Sequence, residues 1–166
     1  MNADVPVFIA AGSNVEAQRN LALALTELER EFGALTVSHA YRNAAAGFDG
    51  PDFINLVVGF KTRLGVREVI ERLRGIEAHC GRPRSALKWA PRSMDLDLLL
   101  YGDLICDEAG LKLPRPDLLR RAYMLGPLAE IAPGLKHPTV NRAIRELWSE
   151  FDHAAHPLHR VELTRE

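Results

Sequence analysis

The chain has 166 residues, 47% of them apolar and 26% charged, with a formal net charge of −1 at pH 7. That is the mixture of one ordinary globular domain, able to bury a core and without the bulk positive charge of a polyanion binder. Cys80 and Cys106 lack metal-type spacing, the N-terminus with Asp4 is not that of a signal peptide, and no apolar run nears the ~20 residues needed to span a bilayer. The expectation is a reduced, cytoplasmic protein with 1–166 as one domain and 152–166 as a loosely ordered tail.

Val5 to Ala11 is a short apolar run that ends at Gly12-Ser13-Asn14, read as a turn that supplies helix caps. From Ala17 to Phe32 the apolar residues Leu21, Leu25, Leu28 and Phe32 recur in steps of four, three and four, one stripe of an amphipathic helix. Gly33 is placed to end it. Leu35 to Tyr41 and Phe53 to Phe60 read as strands, separated by a loop over 43–52 with two glycines and a proline. Val66, Val69, Ile70, Leu73 and Ile76 mark a second helix. Pro83 and Pro91 interrupt any helix between Cys80 and Ser93, after which Met94 to Tyr101 is strand-like and ends at Gly102-Asp103. Leu111 to Leu113 gives a short further strand, and Val140, Ala143, Ile144, Leu147, Trp148 and Phe151 a third helical stripe. Alternating strands and helices without a βαβ glycine fingerprint favour an α+β fold with a mainly antiparallel sheet.

The chemistry concentrates at MDLDLLLY. Residues two apart in a strand share a face, so Asp95 and Asp97 stand side by side, with Met94, Leu96, Leu98 and Leu100 expected behind them. Paired carboxylates on a half-buried face repel each other and resist desolvation, a cost that a divalent cation relieves. Such pairs are also common on solvated surfaces, so the spacing alone does not choose. The preceding segment does shift the balance: Gly81 to Arg92 carries Arg82, Arg84, Lys88 and Arg92, with Trp89 among them and no acid. Cations of this kind neutralise phosphate oxygens, and the glycine and prolines suit a closing loop. His137, before Pro138, reads as a capping or surface residue.

Ala10-Ala11-Gly12-Ser13-Asn14, Pro51-Asp52-Phe53-Ile54-Asn55, Glu77, Gly81-Arg82-x-Arg84, Trp89-Ala90-Pro91-Arg92 with Asp95-Leu96-Asp97, Leu113-Pro114 and Arg121-Ala122-Tyr123-Met124-Leu125 occur in an order and spacing that resemble the 6-hydroxymethyl-7,8-dihydropterin pyrophosphokinase family of folate biosynthesis. The resemblance implies a ferredoxin-like α+β sandwich and transfer of the β,γ-diphosphate of ATP to the pterin hydroxymethyl group, leaving AMP. It further implies that Asp95 and Asp97 ligate two Mg2+ ions, with Asp97, Arg82 and Arg92 as the catalytic set. Phe53 and Tyr123 would sandwich the pterin, whose edge Asn55 would bond together with backbone groups around Asn43, Ala44 and Ala46. ATP would lie along Arg74, Glu77, Arg84, Trp89, Arg92, Leu98, Lys112, Arg115 and Arg121, in part through backbone atoms. This chain has alanines at 44–46 where the family often has prolines, Arg74 where glutamine is frequent, and Arg115 for a usual histidine.

The expected partners are therefore ATP and a small pterin, acting on a monomer, with neither nucleic acid nor membrane. Two rival readings remain at this level. One is another metal-dependent nucleotidyl or glycosyl transfer at Asp95 and Asp97. The other is a ferredoxin-like module whose basic loop contacts nucleic acid, against which acids on the sheet face argue.

Overall fold

The computed structural model describes residues 4–43, 52–81 and 94–163. Strand β1 (Val5–Ser13) leads into helix α1 (Ala17–Phe32), where Leu21, Ala24, Leu25 and Leu28 are buried along the stripe that the spacing predicts. Gly33, at φ 85°, ends the helix and donates its N–H to the Glu29 carbonyl. The expected turn at Gly12 lies later in the chain: β1 continues through Gly12 and Ser13, and Glu16, at φ 44°, makes the reversal without a side-chain cap. The Ser13 hydroxyl and the Asn20 amide both donate to the Val15 carbonyl, at 3.1 and 2.7 Å, and tie this corner together.

The strand expected over 35–41 divides into β2 (Thr36–Val37) and β3 (Ala40–Asn43). Ser38 causes the break. Its hydroxyl accepts the Val57 N–H at 2.9 Å and donates to the His39 carbonyl at 2.8 Å, taking one ladder position from the backbone. Strand β4 (Phe53–Thr62) and helix α2 (Val66–Gly81) follow as the periodicity predicts, with Val69, Leu73 and Ile76 buried. Strand β5 (Asp95–Tyr101) precedes a small hairpin of β6 (Cys106–Glu108) and β7 (Leu111–Leu113).

After a single 3-10 turn at Pro116–Leu119 comes helix α3 (Ala122–Ile131), a segment with no element in the sequence reading, which holds Gly126 and Pro127 inside the helix. Its buried residues Ala122, Met124, Leu125 and Leu128 dock it on the sheet, where packing overrides local propensity. Helix α4 (Ile144–Ser149) is shorter than the third stripe, because Asn141 sits at φ 60° and Val140 is exposed. His137, expected as a cap or surface group, is buried, and its Nδ1 accepts the N–H groups of Thr139 and Val140. Burial lowers its pKa.

The main sheet has the order β5-β1-β4-β3-β8, with β2 also on β4, and every pairing is antiparallel. Strand β8 (His159–Val161) belongs to the segment expected as a loosely ordered tail. It pairs instead with β3, whose outer rungs would otherwise lie open, and the Gln18 amide anchors the next residue through the Glu162 carbonyl at 2.7 Å.

Helices α1 and α2 cover one face of the sheet over a core that includes Ile9, Leu56, Leu73 and Leu96; α3 and α4 cover the other over Val57, Leu99, Leu125 and Ile144. The register between β1 and β5 shifts between Phe8 and Ile9, which leaves one extra residue in β5. Met94, Leu96 and Leu98 therefore face α1 and α2, as expected, whereas Leu100 joins Leu99 in the opposite core. Strict alternation had placed Leu100 with the other three.

Candidate active site

Asp95 and Asp97 are both half-buried and flank the fully buried Leu96. On β1 the residues opposite them are Gly12 and Ala10, and on β4 the residue opposite Gly12 is Asn55. Small residues on the central strand thus leave a hollow between the carboxylates and the Asn55 amide. Gly12 is required there: a Cβ on it would lie 2.3 Å from Asn55 Oδ1. Helix α3 brings Tyr123 and Met124 to the same hollow, which Asn43 and Phe53 also line. The resulting cavity has a volume of about 190 Å3. Its walls include Asn43, Phe53, Asn55, Asp95, Asp97 and Tyr123, so the two aspartates and the described residues expected at a pterin surround one space. A larger hollow of about 570 Å3 lies between Tyr41, Trp148 and His153, and carries neither carboxylate.

The Asn55 amide donates to Asn43 Oδ1. Asn43 therefore presents its side chain to this network, where only its backbone was expected. Phe53 and Tyr123 bring aromatic side chains to the cavity wall, and burial pushes the Tyr123 phenol above its ordinary pKa.

Burial also raises the Asp97 carboxyl; Arg115 opposes this, while Asp95 and Glu77 add to it and Arg74 opposes it. Two partly desolvated acids on one face have the donor chemistry for a hard divalent cation. Among the described residues no group of three or more His, Cys, Asp or Glu forms a closed cage. That suits Mg2+, which completes its octahedron with water and phosphate oxygens. Arg115 supplies the protein's own countercharge, with Nη2 3.6 Å from Asp97 Oδ1 and Nε 3.9 Å from Asp117 Oδ2. Its N–H donates to the Leu99 carbonyl at 3.0 Å, which anchors this loop to the aspartate strand. The sequence offered no signal for the Arg115–Asp97 pair, because the partners are not periodic neighbours.

The residues expected along ATP fall into distinct places. Leu98 is buried in the core, so only its backbone can meet a ligand. Lys112 is exposed on the β6–β7 hairpin, and Arg121 is exposed at the start of α3, on a neighbouring cleft instead of the carboxylate cavity. Glu77 differs most from its expected role: it is 3% exposed, and both its oxygens are engaged by Arg74 and the Leu96 N–H. Ala44, Ala46, Arg82, Arg84, Trp89 and Arg92 lie outside the described residues.

The model of the 7,8-dihydro-6-hydroxymethylpterin-pyrophosphokinase family matches residues 8–133. The 2-amino-4-hydroxy-6-hydroxymethyldihydropteridine pyrophosphokinase of Pseudomonas aeruginosa is 38% identical over 136 residues, covering 80% of this chain and 83% of the relative. The protein of the same name from Aquifex aeolicus is 34% identical over 146 residues, covering 87% and 91%. The crystal structure of Plasmodium falciparum HPPK-DHPS matches with a TM-score of 0.74 and 15% identity over 90% of this chain, which spans 45% of that longer one. That likeness speaks to the fold alone, a ferredoxin-like α+β sandwich. With 126 consecutive residues under the family model and relatives matched over most of their length, the chain belongs to the 7,8-dihydro-6-hydroxymethylpterin-pyrophosphokinase family.

Proposed function

We propose that this protein, acting as a single-domain monomer in the cytoplasm, transfers the β,γ-diphosphate of ATP to the hydroxymethyl group of 6-hydroxymethyl-7,8-dihydropterin. The products are AMP and the pterin diphosphate, a step of folate biosynthesis. The observation that carries the reading is the shared cavity: Asn43, Phe53, Asn55 and Tyr123 line the same space as Asp95 and Asp97. Family membership supplies the acceptor and the transferred group.

In this reading the pterin ring lies between Phe53 and Tyr123, and the linked amides of Asn43 and Asn55 read its polar edge. The ring is thereby held with its hydroxymethyl group directed to the carboxylates. Asp95 and Asp97 would hold Mg2+, two ions in the full complex, which would supply charge neutralisation to the phosphate oxygens. Leu98 lies on the outer strand and offers backbone groups to the nucleotide base. Arg115 releases Asp97 to the cation and turns to the phosphates, while Arg82 and Arg92 balance the charge that develops on transfer. Arg84, Trp89, Lys112 and Arg121 complete the nucleotide site. Positioning and charge neutralisation carry the reaction, and no side chain is assigned as a general base.

Incubation with ATP, Mg2+ and 6-hydroxymethyl-7,8-dihydropterin is expected to yield AMP and a diphosphorylated pterin, resolved by chromatography and mass spectrometry. Release of ADP or phosphate without any need for the pterin would reject the proposal in favour of another phosphoryl transfer.

A further inference from the structure

Among the described residues, strand β5, which carries both site carboxylates, is a border of the sheet, with β1 on one side only. In an antiparallel ladder, alternate residues of a border strand turn their N–H and C=O groups outward. Leu96 is such a residue, and neither of its backbone groups is left to solvent. Its N–H donates to Glu77 Oε2 at 2.7 Å, and its carbonyl accepts from Arg74 Nη1 at 3.3 Å. The same Arg74 Nη1 donates to Glu77 Oε1 at 2.9 Å. One acidic and one basic side chain, three residues apart on α2, thus engage the backbone as the next strand would.

The location of this contact gives it consequence. The Leu96 N–H belongs to the peptide that joins it to Asp95, and the Leu96 carbonyl to the peptide that joins it to Asp97. Both peptide planes between the carboxylates are therefore fastened from the side opposite β1. Rotation at Leu96 would swing the aspartate side chains relative to each other, and Mg2+ tolerates little error around its 2.0–2.1 Å ligand distances. Glu77 is 3% exposed, a costly place for a carboxylate that does nothing but fill space. Its oxygens are held by the strand and by Arg74, which puts its charge to structural use.

We propose that Glu77 and Arg74 are positioning residues: together they engage the Leu96 backbone as a neighbouring strand would and so set the spacing and orientation of Asp95 and Asp97. The inference rests on the reading of those aspartates as a divalent-cation site. Glu77 is the principal element, because the Arg74 side chain remains 55% exposed and its bonds compete with water. Outer residues that orient metal ligands typically change metal affinity by about 10–100-fold when removed. The Arg74 contribution should lie at or below the lower end of that range.

The test combines amide exchange of the metal-free protein with Mn2+ titration followed by electron paramagnetic resonance. In wild type the Leu96 amide is expected to exchange slowly. Glu77→Ala should release it and weaken Mn2+ binding by about 10–100-fold, with the far-ultraviolet circular dichroism retained. Glu77→Gln keeps an acceptor oxygen for the Leu96 N–H and should recover most of both properties. Arg74→Ala should cause a smaller loss of Mn2+ affinity, about 3–10-fold. Unchanged Mn2+ affinity in Glu77→Ala, with Leu96 released, would overturn the positioning role while leaving the cation site intact. A freely exchanging Leu96 amide in wild type would also overturn it. If wild type itself binds no Mn2+, the cation reading falls and the positioning role with it. Should Glu77→Ala fail to fold, Arg74→Ala and Glu77→Gln decide: wild-type affinity in the first together with full loss in the second would refute the arrangement.

Discussion

Alanine at Gly12 is a small change placed where the site has no slack. The new Cβ would stand 2.3 Å from Asn55 Oδ1 and 3.4 Å from Asn55 Cγ. Restoring even a 3.0 Å contact moves the amide by at least 0.7 Å, and β1 cannot yield because it is laddered on both sides. Asn55 is 6% exposed, so its retreat breaks the bond to Asn43 inside the protein. Overpacking of about 1–3 kcal/mol and loss of a buried hydrogen bond of about 1 kcal/mol combine to roughly 3 kcal/mol. For a chain of this size that lowers Tm by about 6–12 °C. Calorimetry should show it, and isothermal titration should show pterin affinity reduced at least about tenfold, equivalent to ~1.4 kcal/mol. The double variant Gly12→Ala/Asn55→Ala removes the obstructed amide and should be more stable than Gly12→Ala alone. A Gly12→Ala protein that melts within about 2 °C of wild type and binds the pterin normally would refute the steric argument.

The carboxylate pair has its own signature. Because burial raises the folded-state pKa of Asp97, its ionisation opposes folding; the favourable contribution is full below the unfolded carboxylate range and is lost as pH rises through the folded value. Asp97→Asn should therefore raise the metal-free Tm at pH 7 by about 2–4 °C, on the order of 1 kcal/mol, with the gain vanishing near pH 4. The same variant should lose the stabilisation that Mg2+ gives wild type, measured by differential scanning fluorimetry. Burial and the Glu130 hydrogen bond push the Tyr41 phenol up to about 12, so Glu130→Gln should bring its ultraviolet titration down towards 10. An unmoved titration would mean that Glu130 does not set it. In a Trp89→Phe background, truncation after Phe151 removes β8 and the His153 ring stacked 4.1 Å from Trp148; stability should fall by about 2 kcal/mol and indole emission should shift to the red.

Periodicity recovered the parts of the fold whose burial is one-sided and regular. Helices α1 and α2 lie close to where spacing put them because each has one apolar stripe against one layer, and strands β4 and β5 because their apolar runs are bounded by turn residues and polar positions. It failed where a side chain does the work of backbone, as at Ser38, and where contacts distant in sequence override local preference, as in α3 with its Gly126 and Pro127. Gly126 has a tertiary reason that no local pattern shows: a Cβ there would meet the Trp148 ring at 2.9 Å and Leu158 Cδ1 at 3.2 Å. The site divides in the same way. Period two put Asp95 and Asp97 on one face, and the family motifs pointed to Phe53, Asn55 and Tyr123, which the fold gathers around one cavity. The Arg115–Asp97 pair, the Asn43–Asn55 bond and the engagement of Leu96 by Glu77 join elements far apart in sequence, so no windowed reading contains them.

The extra residue in β5 reaches beyond side-chain orientation. It adds Leu100 to Leu99 in the core under α3, while Leu96 and Leu98 of the same strand stay in the core under α1 and α2. A perturbation that loosens either layer therefore acts on the backbone that bears the carboxylates. The two cores should melt in a single cooperative transition, with coincident signals from helix content and from an indole probe on the α3–α4 side. An enzyme built in this way would lose its cation geometry as part of global unfolding, and would keep it through fraying of the chain ends.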